Sequence, residues 1–379
     1  MMGLRLDSSI RALSVPQNKP AAYPRPVGSY SYSRSATAIV SSRNICDKGS
    51  FRQENRIMKA VRIREHGGPE VMSFEDVDQP QAAATELLIK IEAAGINFID
   101  TYQRTGLYKI PLPATLGLEA SGTVEAIGSE VSRFKVGDRV AYTSMLGAYA
   151  EYSAVEQDKV VAIPDGVSFN EGAAAMLQGC TAHYLSQSTY PIKNGDSCLI
   201  HAAAGGVGLM LIQMAKNAGA TVIGTVSTEE KAELAHAAGA DAVILYSQTD
   251  FETEVKRITD GAGVNVVYDS VGKTTFDKSI ECLQRFGYMV LYGNASGPVT
   301  KFNPATLGPK GSLFLTRPTL FDYTADRESL EWRSGDVFKW IDEGKLHLRL
   351  EHFFALADAK EAHQALEGRK TTGKIILTP

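Results

Sequence analysis

The stretch HAAAGGVGLMLIQMAKNAGA, residues 201–220, gathers small residues at one junction. Ala202 to Gly208 separate an apolar run ending at Ile200 from a segment with helical spacing. Ordering that much Gly and Ala raises the entropic cost of folding. The return is a backbone that another molecule can approach closely. Within the stretch, Ala203-x-Gly205-x-x-Gly208 follows a strand candidate and opens a helix candidate. This is the setting in which GxGxxG, here with Ala in first place, cradles a pyrophosphate. N–H groups at a helix N-terminus meet the phosphate oxygens, and the helix dipole favours the anion. Ala203, Gly205, Gly206, Val207 and Gly208 are the candidate contacts.

The following strand decides which dinucleotide. An NAD site places Asp or Glu at its end, bonded to the ribose diol. Here residues 221–227 read TVIGTVS, and the first acid is Glu229. An acid would repel the 2′-phosphate of NADPH, whereas Ser227 and Lys231 suit it. Lys231 alone would equally be a solvated helix residue pairing with Glu230 or Glu233. The missing acid and the lysine together favour NADPH.

Such a turn needs alternating strands and helices around it. Strand candidates at 197–202, 221–225, 242–245, 264–269, 287–292 and 313–315 predict a doubly wound parallel sheet. Val207, Met210, Leu211, Met214 and Ala218 mark one helix face, and Gly219 stands where that helix should stop. From residue 59 to about 161 the pattern differs: short strands (59–63, 86–91, 122–128) punctuated by Gly and Pro, as in a barrel-like β domain. The tail from 321 has helical runs at 336–343 and 357–366 and a last strand at 374–377, read as returning to the first domain. The expected division is a leader at 1–57, a catalytic domain at 58–181 completed by 321–379, and a cofactor domain at 182–320.

At 379 residues and 44% hydrophobic content the chain can build two cores. No apolar run approaches the roughly 18 residues of a membrane span. A net charge of −4 with no basic stripe argues against nucleic-acid binding. The four cysteines, Cys46, Cys180, Cys198 and Cys282, are scattered, which suits a reducing compartment and neither a disulfide framework nor a zinc knuckle. Residues 1–57 carry nine Lys/Arg against Asp7, Asp47 and Glu54, are Ser-rich, and precede a start-like Met58. They read either as an organellar transit segment or as a disordered or spurious extension. The first places the protein in the mitochondrial matrix or plastid stroma, the second in the cytoplasm.

Several blocks, in order, resemble the medium-chain dehydrogenase/reductase superfamily and within it the zeta-crystallin-type quinone oxidoreductases. They are AAGINFIDTYQRTGLY (93–108), LGLEASGTVEAIG (116–128), FKVGDRV (134–140), HAAAGGVG (201–208), VVYDSVG (266–272) and GSLFLTRPTL (311–320). The resemblance implies a GroES-like catalytic domain plus a Rossmann cofactor domain, a homodimer, and NADPH-dependent reduction of quinones. It implies active-site roles for Asn97, Asp100, Tyr102 and Tyr108, bonding a quinone oxygen or the nicotinamide amide. It adds Tyr246 and Arg369 to Ser227 and Lys231 at the 2′-phosphate, sets Gly224 under the adenosine ribose, and puts Tyr292, Gly293 and Asn294 near the nicotinamide.

The chain departs from the zinc alcohol dehydrogenases where their ligands stand. Asn97 occupies the loop that carries a Cys, Leu118 replaces the His, and only Cys180 lies near the third position. One soft ligand cannot make a catalytic zinc site, so no metal is expected. Cys180 reads as a core residue, Glu119 as a structural partner in the cleft, and His183 and His201 as structural. Without a Lewis acid an alcohol or simple ketone is a poor substrate, whereas a quinone or enone delocalises the incoming charge itself. The alternatives are an alkenal/enone double-bond reductase of the same fold and a non-enzymatic nucleotide- or RNA-binding protein.

Overall fold

In the computed structural model the described residues run from Arg56 to Pro379. Nearly all of the expected leader lies outside them. The chain opens with β1 (Ile57–Ile63), β2 (Ser73–Asp78) and the long β3 (Glu86–Ile96), followed by helix α1 (Phe98–Thr105). Strands β4 (Ala114–Thr115), β5 (Glu119–Ile127), β6 (Arg139–Thr143), β7 (Tyr152–Glu156) and β8 (Val160–Ala162) come next. A helical run then contains α2 (Phe169–Ala174) and α3 (Cys180–Tyr184), with π-wound turns at Ala175–Gly179 and Leu185–Thr189.

Strand–helix alternation follows. It comprises β9 (Ser197–His201), α4 (Gly206–Asn217), β10 (Thr221–Val226), α5 (Glu229–Ala237), β11 (Ala242–Leu245), α6 (Phe251–Ile258), β12 (Val264–Asp269), α7 (Phe276–Glu281), β13 (Leu283–Leu291) and β14 (Phe314–Thr316). The chain ends with α8 (Leu320–Tyr323), α9 (Arg327–Asp342), β15 (Leu350–Ala355), α10 (Ala359–Glu367) and β16 (Lys374–Thr378).

The alternating strands form one all-parallel sheet in the order β11-β10-β9-β12-β13-β14. The order reverses between β9 and β12, so their C-terminal ends open the crevice in which such sheets hold ligands. A second sheet, β15-β16-β3-β5-β6-β8 with β7 also on β3, is built around β3. β3 is buried along most of its length because it has neighbours on both edges and is covered by α2. β2-β1-β4 make a small third sheet.

Two details differ from the periodicity reading. Helix α4 buries more than one stripe: Leu209, Ile212 and Ala215 are inside along with Met210, Leu211 and Met214. The cause is the helical run 169–189, which covers the side of α4 turned away from the sheet. β15, absent from the sequence reading, is an edge strand with every second residue exposed, a pattern too short and too polar to register. Gly219 does end α4, with φ of +83°.

Candidate active site

A cavity of about 950 Å³ opens at the C-terminal ends of β9, β10, β12 and β13 and extends under α1 and the segment after β14. That is the upper range for a small-molecule site. At its centre Gly205 caps α4 with φ −78° and ψ 167°, an extended backbone open to any residue. A Cβ on Gly205 would meet only the Ala202 carbonyl, at 3.1 Å, and otherwise project into free space. The first-turn N–H groups of Gly206, Val207 and Gly208 have no intrahelical acceptor and face the same space. Gly208 has a different job: its Cβ would lie 2.5 Å from the Ala202 carbonyl and 2.7 Å from that of Ala203, so helix and strand could not close up. The arrangement fits a pyrophosphate.

Two expected contacts are corrected. Ala203 is fully buried and Gly224 lies beneath it, where a Cβ would come within 2.8 Å of the Ala203 methyl. Neither lines the cavity. Their small size serves packing of β9 on β10, not contact with a ribose.

At one end of the cavity Ser227, Lys231, Tyr246 and Arg369 come together, although 138 residues separate the two cations. The Lys231 ammonium donates to the Arg369 carbonyl at 2.8 Å. Burial, and then the Arg369 charge, hold its pKa below the usual lysine value. Two like charges are thus held together with no acid between them. The single acid on the cavity wall, Asp250, is paired with Lys278. A doubly charged phosphate is what this corner lacks.

The other end is aromatic. The Tyr102 and Tyr108 rings meet edge to face, 5.3 Å apart, and both line the cavity with Tyr292 and Gly293. Tyr102 Oη accepts from the Asn294 backbone N–H at 3.1 Å, which leaves its own proton uncommitted. Burial pushes that phenol up to about 12, so it keeps the proton through the neutral range. Asn294 stands behind the tyrosines instead of on the wall, a correction to its expected place. With its amide oriented to satisfy both polar atoms, Nδ2 donates to the Gly293 carbonyl, while Oδ1 accepts from Tyr108 at 3.0 Å and from Arg317 at 3.1 Å.

Asp100 is also corrected. It is fully buried two residues before Tyr102 and points away from the cavity. Its carboxylate accepts from the Asn97 N–H at 2.7 Å, closing a capping box at the start of α1, and from Tyr149 at 2.8 Å. The network behind it has one consistent direction. Arg104 can only donate, so His363 Nδ1 accepts its bond at 3.0 Å. Nε2 then carries the ring proton to Tyr149, 3.2 Å away, and Tyr149 donates to Asp100. Burial, helped by the Arg104 charge, keeps His363 neutral with a pKa near 3, and burial raises Asp100 to about 7. These residues fix α1, and none of them lines the cavity.

Asn97 reaches the cavity wall, but its side-chain amide is spent. Nδ2 donates to Glu119 at 2.6 Å and Oδ1 accepts from Lys374 at 2.9 Å. Glu119 and Lys374 form an ion pair, 0% and 2% exposed, and Glu119 also accepts from the Leu177 N–H at 2.6 Å. The position next to the absent histidine is therefore filled by a salt bridge. Cys180 is a buried thiol, and among the described residues no group of His, Cys, Asp and Glu is placed to hold a metal ion.

The two histidines have partners that the sequence did not reveal. His201 bonds Thr225 and Ser279, each at 2.9 Å, below the glycine turn. His183 bonds Asp336 at 3.0 Å between Trp332 and Trp340. Sequence reasoning missed Arg317, Gln178 and Gly373. Arg317 was visible as a cation just after the last parallel strand, the end where ligands bind. Gln178 Oε1 is buried without a partner on the cavity wall beside Gly206. Gly373 bridges to Gly205 and donates to the Ala204 carbonyl at 3.0 Å, so the C-terminal segment braces the turn. No local pattern announces either of these.

Known proteins are similar to this chain in sequence and fold. The alcohol dehydrogenase GroES-like domain family matches residues 83–165, and the zinc-binding dehydrogenase family matches 206–325. A quinone oxidoreductase of Pseudomonas aeruginosa is 47% identical over 323 residues, covering 85% of this chain and 99% of that protein. Quinone oxidoreductase 1 of Escherichia coli is 46% identical over 84% of this chain and 99% of its own length. The crystal structure of an Escherichia coli quinone oxidoreductase complexed with NADPH superposes with a TM-score of 0.83 at 45% identity, covering 85% of this chain and all of that one.

Proposed function

The chain belongs to the quinone oxidoreductases of the medium-chain dehydrogenase/reductase superfamily, and on that premise we propose that it reduces quinones with NADPH in the cavity between its two large sheets. The observation that carries the reading is the polarity of that cavity: Lys231 and Arg369, neither in an ion pair among the described residues, at one end, a helix N-terminus in the middle, and two phenols beside Arg317 at the other. Lys231, Arg369 and Ser227 hold the 2′-phosphate, and the N–H groups of 206–208 hold the pyrophosphate. Bound there, NADPH supplies a hydride. The chain's part is to orient the acceptor and keep its oxygen in contact with a donor, which is the free proton of Tyr102. A quinone that gains a hydride becomes a hydroquinone monoanion, and one proton from water completes it. Its conjugation spreads the incoming charge, so positioning is the main contribution asked of the protein.

Turnover of NADPH with a panel of quinones, 2-alkenals and aldehydes tests this. We expect quinones to be reduced fastest and the rate to be unchanged by exhaustive chelation, because Asn97 and Leu118 stand where metal ligands would. Activity lost with one zinc per chain would overturn the metal-free reading. Alkenals reduced and quinones ignored would leave the enone reductase alternative.

The homodimer has support in the edge strand β14. Phe314 and Leu315 there, with Phe286 nearby, are exposed at the open edge of a parallel sheet, a surface that is usually covered. Sedimentation should give twice the chain mass; a monomer at micromolar concentration would refute it. Among the described residues no helix is long and apolar enough to cross a membrane. The free buried thiols of Cys180, Cys198 and Cys282 suit a reducing compartment, either the cytoplasm or an organelle matrix.

A further inference from the structure

Four cations line the cavity: Lys231, Arg369, Lys278 and Arg317. The first two face the 2′-phosphate corner, and Lys278 is paired with Asp250. Arg317 is left over. Its NH1 donates to the Leu291 carbonyl at 3.0 Å, which sets the guanidinium above the end of β13. The pyrophosphate turn follows β9, two strands away, and the 2′-phosphate corner follows β10, three strands away. At roughly 4.8 Å per strand those strand ends are about 10 and 14 Å from the end of β13, which sets Arg317 apart from both phosphate corners. No carboxylate among the described residues pairs with it.

The side chain is nevertheless held. NH2 donates to Tyr108 at 3.0 Å and, with the amide oriented as above, to Asn294 at 3.1 Å. A guanidinium has five N–H donors, and three are used by Leu291, Tyr108 and Asn294. Two remain, on an exposed group fixed at the acceptor end of the cavity beside the phenols. Both NH2 hydrogens are thus taken, and the spare donors, on Nε and NH1, lie on different edges of the guanidinium, so an anion arriving there is met by the fixed charge and a single N–H.

We infer that Arg317 is a specificity residue, and that the preferred acceptors carry a carboxylate next to the conjugated carbonyl that receives the hydride. The inference rests on the quinone reductase reading and narrows its substrate class. The anion docks on Arg317, the neighbouring carbonyl oxygen meets Tyr102, and negative charge arriving on the acceptor is met by a cation already in place. A neutral quinone lacks only the first contact.

The probes are 1,4-benzoquinone-2-carboxylate and its methyl ester, assayed with saturating NADPH on the parent chain, Arg317→Met and Arg317→Lys. Ester and acid share the quinone ring and differ by one methyl group and the charge, so any loss of Tyr108 support in a variant affects both. The ratio of their kcat/KM values isolates the charge. We expect the acid-to-ester ratio to fall about tenfold or more in Arg317→Met, the lower range for a hydrogen bond to a charged group. Arg317→Lys keeps the charge on a flexible stem without the guanidinium's anchoring bonds to Leu291, Tyr108 and Asn294, and should lie between. A ratio unchanged across the three proteins overturns the inference while leaving quinone reduction intact. Acid and ester falling together, with a higher KM for NADPH, overturns it also and makes Arg317 a nicotinamide-positioning residue. If the parent reduces neither probe nor any neutral quinone, the functional reading fails and takes this inference with it.

Discussion

Gly205→Val should fold and should bind neither NADPH nor NADH. The backbone permits the change, since Gly205 has φ −78° and its Cβ meets one carbonyl at 3.1 Å, a contact that a shift of a few tenths of an ångström relieves. Valine is a poorer helix cap, and the stability cost should stay within about 1 kcal/mol. The branched side chain then occupies the space where a pyrophosphate meets the first turn of α4. Lys231→Ala provides the contrast. It removes one cation from a phosphate that only NADPH carries, so NADPH should weaken by about 1.5–3 kcal/mol, roughly ten- to hundredfold. Arg369 and Ser227 remain to hold the phosphate, which favours the low end. NADH should change little. Isothermal titration of both cofactors on both variants, with circular dichroism as the control for folding, measures this. Equal losses of NADPH and NADH in Lys231→Ala would remove the lysine from the phosphate site.

The second large effect is on stability. Lys374→Met should destabilise the chain by about 3–5 kcal/mol, the usual result of removing one partner from a buried ion pair. Glu119, 0% exposed, would be left with a charge answered only by the Asn97 amide and the Leu177 N–H. Adding Glu119→Gln should recover part of the loss, because the uncompensated charge is gone. Urea unfolding of the parent, the single and the double variant tests it. A single variant as stable as the parent would mean that the pair holds nothing together. The pair joins β16 to β5, and β16 is reached only after the chain has passed through the parallel sheet. Its loss should therefore weaken the attachment of the C-terminal strand, whose preceding residue Gly373 braces the pyrophosphate turn.

α1 shows how far reading by residue type can go. Asp100, Tyr102 and Tyr108 all looked available, as polar residues in one loop-helix block. Residues two apart on a helix do not share a face, so Asp100 and Tyr102 could not both point at the same ligand. The helix places the acid inward against Tyr149 and the phenol on the cavity wall. Spacing carried that distinction, once the segment was known to be helical. For Asn97 nothing local would have served, because the residues that consume its amide, Glu119 and Lys374, lie 22 and 277 positions away.

What the amino-acid order determined by itself was local or periodic. The glycine turn between strand and helix, the alternation that yields a parallel sheet, and the missing acid after the second strand of that sheet each depend on residues close together in the sequence. Their physics is that of backbone freedom, helix termini and charge sign, which needs no knowledge of the rest of the chain. Tertiary structure decided which polar groups are free to meet a ligand. It brought Arg369 to Lys231, seated Arg317 between Leu291 and Tyr108, and paired Glu119 with Lys374. A polar side chain must find its partners wherever burial leaves it, and those partners come from strands and loops far apart in the sequence. Only the folded chain can say which hydrogen-bonding groups have already been satisfied and which still face the cavity.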